Sequence, residues 1–137
     1  MKKKIAILGS TGSIGKNLLN IIKKKPQNYE VILLSANKNY RELLSQAKLF
    51  KVKNLIISDK KIYEKVKSNK FLKNTKLFKD FSSYNKIFNK IKVDYTMSSI
   101  TGINGLEPTL KIIKYTKNIA VANKESIICG WNLINKE

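Results

Sequence analysis

Three glycines spaced three apart, Gly9, Gly12 and Gly15, follow an apolar run in the stretch Lys3-Lys4-Ile5-Ala6-Ile7-Leu8-Gly9-Ser10-Thr11-Gly12-Ser13. The order strand, glycine turn, helix is suited to phosphate. A glycine in the tight turn accepts backbone angles closed to other residues, and one without a side chain lets an anion approach the backbone. The unpaired N–H groups at the start of the following helix then face that anion, helped by the helix dipole. Thr11 and Ser13 add hydroxyls beside it. Ile14, Leu18, Leu19, Ile21 and Ile22 carry the helical period that should follow the turn. Gly-x-x-Gly-x-x-Gly departs from the commoner Gly-x-Gly-x-x-Gly, so a glycine-rich turn without a ligand stays open on this segment alone.

A second group stands at the end of the next apolar run, Ser35-Ala36-Asn37-Lys38-Asn39. In NAD-binding versions of this arrangement an acidic residue there holds the ribose 2′-hydroxyl. Here no carboxylate stands to repel a 2′-phosphate, and Lys38 supplies a cation with Asn37 and Asn39 as donors, which argues for NADPH over NADH. An ordinary polar loop in a lysine-rich protein reads the same way. A third group, Asn123-Lys124-Glu125-Ser126, opens the last helix, where a fixed lysine charge can bind an oxygen anion or where the residues simply cap the helix.

These groups need elements to hold them, and apolar runs alternate with helical periods along the chain. That alternation specifies parallel strands joined by crossover helices: an α/β, Rossmann-like, doubly wound and mostly parallel sheet with helices on both faces, in a single domain. Strands are expected at residues 30–35, 53–58, 93–98 and 118–122, with a short strand at 76–78 in the weakly patterned stretch 69–80, an excursion or an edge. Helices are expected over 40–50, 60–68, 82–90 and about 108–115, with Pro108 in a first turn that tolerates it. A closing helix carries Ile127, Ile128, Trp131, Leu133 and Ile134, with Trp131 as a core or interface anchor.

With 137 residues, the length fits one domain with a real core. There is no run of about 20 apolar residues for a membrane span and no room before the first strand for a targeting peptide, so a soluble, cytoplasmic protein is expected. Cys129 is the sole cysteine, expected buried, and the absence of histidine removes the usual zinc and serine-triad constellations. The net charge of +19 invites nucleic acid. Arg41 is the only arginine, however, and the lysines are spread over nearly every helix; no nucleic-acid partner and no membrane are expected.

Four segments in order, Gly9-Ser-Thr-Gly-Ser-Ile-Gly15, Ala36-Asn-Lys-Asn39, Gly102-Ile-Asn-Gly-Leu-Glu-Pro-Thr109 and Ala122-Asn-Lys-Glu-Ser126, together resemble the N-terminal domain of the 1-deoxy-D-xylulose 5-phosphate reductoisomerase family over essentially the whole chain. The resemblance implies an enzyme that isomerises and reduces its substrate to 2-C-methyl-D-erythritol 4-phosphate in non-mevalonate isoprenoid biosynthesis, using NADPH and Mg²⁺ or Mn²⁺. Residues 1–137 would be its NADPH-binding domain. By position, Thr11, Gly12, Ser13 and Ile14 would cradle the pyrophosphate, and Asn37, Lys38 and Asn39 would take the 2′-phosphate. Asn123 and Glu125 would touch the cofactor near its nicotinamide, and Lys124 would reach the phosphosugar substrate.

The family often has glycine in place of Asn37, whose tolerance of left-handed angles should preserve the loop. The metal carboxylates, a flexible catalytic loop and a C-terminal helical domain are expected downstream of the Asn-Lys-Glu motif. No catalytic or metal residue is therefore assigned in this chain, and alone it is expected to be inactive. The intact enzyme would be a homodimer. Another NADP-dependent dehydrogenase domain, or a nucleotide-binding remnant without catalysis, remains the alternative.

Overall fold

The computed structural model describes residues 1–89 and 91–136. Six parallel strands, β1 (Lys3–Leu8), β2 (Tyr29–Ala36), β3 (Asn54–Ile57), β4 (Lys76–Phe78), β5 (Tyr95–Ser98) and β6 (Ile119–Val121), form one sheet in the order β4-β3-β2-β1-β5-β6. The helices are α1 (Ser13–Lys24), α2 (Tyr40–Phe50), α3 (Lys60–Val66), α4 (Tyr84–Phe88), α5 (Leu106–Ile113) and α6 (Lys124–Ile134). The chain moves outward from β1 to β4 on one side, then returns to the centre and continues through β5 and β6 on the other. The carboxyl ends of β1 and β5 therefore flank the point where winding reverses, which is where ligands of open parallel sheets bind.

Alternation in β1 builds the two layers. Ile5 and Ile7 face a core that includes Leu19 and Ile22 of α1, Leu43 and Ala47 of α2 and Val66 of α3. Ala6 and Leu8 face the other, against Tyr84, Ile87 and Phe88 of α4 and Ile112 of α5. In β2 the pairing skips Ile32, since Ile5 pairs with Val31 and Ala6 with Leu33. This bulge lets Val31 and Leu34 share a face despite their odd spacing. At the amino ends of β1 and β5, the opposite end of these strands from the reversal point, Asp94 accepts from the Lys4 backbone N–H at 2.8 Å and from Lys117 Nζ at 2.7 Å, and these donors, Lys117 foremost, hold its carboxyl below the usual range.

The doubly wound expectation holds, with differences at the ends of elements. Residues 76–78 do form a strand, at the sheet edge. α3 ends at Val66, and the expected helix over 82–90 is a 3-10 turn, Phe81–Ser83, followed by five α-helical residues; Lys90 lies outside the described residues. α5 begins two residues before Pro108, which still falls in the first turn. In α1 the buried stripe is Gly15, Leu19 and Ile22, while Ile14 and Ile21 are exposed.

Cys129 is exposed, contrary to expectation. The inward side of α6 is Ser126 and Gly130, one turn apart, packed along α5, and Cys129 falls beside that line. Trp131 is 55% exposed and so is no core anchor. No helix among the described residues is long and apolar enough to cross a membrane.

Candidate functional site

Gly9 turns the chain out of β1 with φ +79°, a conformation that disfavours side chains, and a Cβ there would lie 2.8 Å from the Ser99 carbonyl oxygen. Gly15 is required by proximity: its Cβ would stand 2.6 Å from Ser10 Cα, so only glycine lets α1 pack onto the turn. Gly12 differs, since nothing lies nearer than 3.5 Å to its added Cβ. It is also the N-cap of α1, in an extended conformation, with no side-chain hydrogen bond to the helix and no acidic residue in the first turn. Among the described residues no carbonyl outside the helix accepts from the amides of Ser13 and Ile14, which open it. Ser13 and Ile14 are themselves exposed and Thr11 half-buried.

Beside this turn lies a cleft of about 470 Å³, lined by Gly9 and Thr11, by Ser35 and Ala36 at the end of β2 and Asn37 after it, by Ser58 after β3, and by Ile100, Thr101 and Asn104 after β5. All these residues sit at carboxyl ends of parallel strands. Phe81, Glu107 and Pro108 complete the wall. Glu107, a carboxylate in the cleft, is paired with Lys111 one turn along α5.

The loop after β2 is exposed. Asn37 does not use a left-handed conformation; among the described non-glycine residues only Lys51 has positive φ. The expected reason for asparagine there therefore does not apply. Instead its Oδ1 accepts from Ser58 Oγ at 3.3 Å, binding the loop to the end of β3. Asn39 caps α2, its Oδ1 accepting from the Glu42 backbone N–H at 3.3 Å. Lys38 is exposed, and two further cations stand close by on the Tyr40 ring, Arg41 with its guanidinium carbon 6.0 Å from the centroid and Lys65 with Nζ at 5.4 Å. Arg41's hydrogen bond, and then Lys65's charge, hold the Tyr40 hydroxyl pKa below its usual value.

The fold also brings in a carboxylate that the linear motif did not show. Asp59 follows β3, and its N–H donates to the Asn37 carbonyl at 3.4 Å, but its Oδ1 is engaged in capping α3 through Ile62 N–H at 3.0 Å.

The third group lies apart from this loop, at the end of β6. Asn123 is buried; its Oδ1 accepts from Ser126 N–H at 3.1 Å and its amide nitrogen donates to the carbonyls of Ile100 and Gly102. Both amide protons are thus committed to tying α6 to the loop that lines the cleft. Lys124 and Glu125 are exposed in the first turn of α6. None of the three lines the cleft.

Reading by motif missed Ser58, Asp59, Phe81, Asn104 and Glu107 as neighbours of the cleft, and Gln46 beneath the turn. The strand order was the signal that could have found Ser58 and Asp59, because adjacent parallel strands bring their carboxyl ends together.

The geometry has counterparts among known proteins. The family model described as 1-deoxy-D-xylulose 5-phosphate reductoisomerase matches residues 5–130. The reductoisomerase of Pelagibacter ubique (strain HTCC1062) is 57% identical over 138 residues, covering 98% of this chain and 35% of the relative. That of Clostridium tetani (strain Massachusetts / E88) is 39% identical, again over 98% of this chain and 36% of its own length.

A solved structure of the Zymomonas mobilis reductoisomerase in complex with NADPH superposes with a TM-score of 0.87 at 31% identity, over 99% of this chain and 36% of that one. One of DOX-P reductoisomerase with NADPH, fosmidomycin and magnesium gives 0.80 at 28%, over 98% and 34%. The chain spans about a third of the length of the relatives it matches. A family match over residues 5–130, nearly its whole length, makes the chain a member of the 1-deoxy-D-xylulose 5-phosphate reductoisomerase family.

Proposed function

We propose that residues 1–137 are the NADPH-binding domain of a reductoisomerase that converts 1-deoxy-D-xylulose 5-phosphate into 2-C-methyl-D-erythritol 4-phosphate. The observation that carries the reading is the N-terminus of α1, uncapped by any side chain and opened by Gly12 beside the cleft at the reversal point. A pyrophosphate fits such a place: it needs donors without side chains in the way, and the amides of Ser13 and Ile14 with the Thr11 and Ser13 hydroxyls are the donors available, while Gly12, whose own N–H donates to the Gly9 carbonyl at 3.2 Å, leaves the approach clear. Asn37, Lys38 and Asn39 take the adenosine 2′-phosphate, supported by the free amide end of the Asn39 cap and by the cations around Tyr40. Bound NADPH would supply the hydride.

At the other flank, Lys124 holds an oxygen anion of the phosphosugar and Glu125 borders the nicotinamide. Lys124 is a poor cap, since Asn123 fills that role and a cation in the first turn of a helix opposes its dipole, so helix stability does not account for it. Asn123 contributes by fixing the backbone of residues 100–102, its own donors being occupied.

No three His, Cys, Asp or Glu side chains converge among the described residues, and the Mg²⁺ or Mn²⁺ ligands of the proposed enzyme belong to the part of the relatives beyond this match. The chain by itself then binds cofactor without turnover. The resemblance extends the proposal to a cytoplasmic homodimer with neither nucleic acid nor membrane as partner.

Isothermal titration with NADPH and NADH tests the reading. NADPH should bind at least tenfold more tightly, and Lys38→Glu should remove most of that margin, since a lost charge pair with new repulsion can supply the ~1.4 kcal/mol that tenfold requires. Equal affinities for the two cofactors, or no binding, would end it.

A further inference from the structure

Beneath the glycine turn, on the side away from the cleft, α2 presents a glutamine where its inward face is otherwise apolar. Gln46 is only 6% exposed, between Leu43 and Ala47, which are both buried. Its side chain meets Ser10 twice: Oε1 accepts from Ser10 Oγ at 2.8 Å, and Nε2 donates to the Ser10 carbonyl at 3.0 Å. Nε2 also donates to Glu42 Oε1 at 3.2 Å. A carbonyl and a carboxylate can only accept, so the amide has one orientation, with its oxygen left for the serine hydroxyl. Glu42 Oε2 in turn lies 3.9 Å from Lys16 Nζ on α1.

Ser10 is gripped from the other side as well. Its N–H donates to the Ser35 carbonyl at 2.9 Å, and the preceding Gly9 N–H donates to Ser35 Oγ at 3.0 Å. The residue just before Thr11, Gly12 and Ser13 is therefore fixed in position by β2 and by a buried amide of α2.

We propose that Gln46 is a positioning residue for the dinucleotide: it never touches the ligand, but holds Ser10 so that the Thr11–Ile14 backbone keeps the shape a pyrophosphate requires. This rests on the cofactor reading given above. A turn with several rotamers of freedom would have to be ordered on binding, and a two-point clamp at its root removes that freedom beforehand.

Gln46→Leu keeps the volume and removes every hydrogen bond. Gln46→Glu keeps an acceptor for the Ser10 hydroxyl but sets an oxygen against the Ser10 carbonyl, and serves should the first variant fail to fold. Each is titrated, well below its melting temperature, with NADPH and with 2′-AMP, which carries the 2′-phosphate and no pyrophosphate. Both variants should bind NADPH at least tenfold more weakly and 2′-AMP within twofold of wild type. If wild type binds NADPH and both variants match it, or if both ligands weaken equally as from general loosening, the positioning role is overturned while the cofactor reading stands. If wild-type protein binds no NADPH, the cofactor reading falls and this inference with it.

Discussion

The glycines of the first turn separate two demands that a motif presents as one. Gly15 answers to packing, because its Cβ would meet backbone atoms of Ser10 and Gly9 at 2.6–2.7 Å, where no side-chain adjustment relieves the clash. Gly12 answers to access, since its added Cβ would meet only the Gly9 carbonyl oxygen, at an unstrained 3.5 Å. Gly15→Ala should therefore lower stability by about 1–3 kcal/mol or more, as overpacking does. Gly12→Ala should cost under about 1 kcal/mol as an N-cap exchange, yet weaken NADPH at least tenfold by placing a methyl in the path of the pyrophosphate. Urea denaturation and titration of the two variants check this. A Gly12→Ala protein that binds as tightly as wild type would show that the open glycine is not the approach.

At this scale the sequence displays the residues that could contact a ligand through local spacing, as with Gly9 to Gly15 and Asn37 to Asn39. It hides those whose importance comes from partners far along the chain. Gln46 looks like one more polar residue on a surface helix until the fold sets it against Ser10, 36 residues away.

Among the elements, α6 is held by the residue that precedes it. Asn123 caps it through Oδ1 and, through its amide nitrogen, satisfies the carbonyls of Ile100 and Gly102. Removing all three contacts in Asn123→Ala should cost roughly 2–4 kcal/mol, a cap of about 1 plus part-buried carbonyls left without donors. Asn123→Ser keeps a cap oxygen and should recover about 1 kcal/mol of that, and urea melts of the pair measure the difference. If the two variants are equally unstable, capping contributes nothing and the stabilisation resides in the loop carbonyls alone. Ile100 and Thr101 line the cleft, so both variants should also loosen cofactor binding.

Element type was legible wherever periodicity ran long: α2 spans the 40–50 that its pattern implied, and β1 alternates as a two-faced strand should. Boundaries blurred where the pattern was short. The bulge at Ile32 was invisible because an extra residue in the unbroken apolar run Val31-Ile32-Leu33-Leu34 leaves no mark on hydropathy. Cys129 and Trp131 misled because α6 buries a small-residue line, Ser126 and Gly130, and leaves Ile128 77% exposed.

For the whole molecule, the doubly wound order follows from alternation and right-handed crossovers, but the position of each helix layer depends on packing that alternation does not specify. The layer of α4 and α5 forms around Tyr84, which is buried with its ring 5.8 Å from that of Phe81 and 5.6 Å from that of Phe88, and whose hydroxyl donates to the Pro108 carbonyl at 3.4 Å. Phe81 and Pro108 are also walls of the cleft, so this cluster supports the site from behind.

Burial drives the Tyr84 hydroxyl well above its ordinary pKa of 10.0, because an ionised phenolate would lose its hydration there. The folded protein thus holds the proton more tightly than the unfolded chain. The stability linked to Tyr84 is fully present below pH about 10 and falls as the pH climbs above that value. Tyr84→Phe lacks the ionisation and, with it, this dependence, while lysine deprotonation acts on both proteins alike. Urea denaturation of the two between pH 9 and 11 should show wild type losing its stability relative to Tyr84→Phe as the pH rises. Parallel profiles would mean that the phenolate reaches water in the folded state and that the wall of the cleft is less dry than its packing indicates.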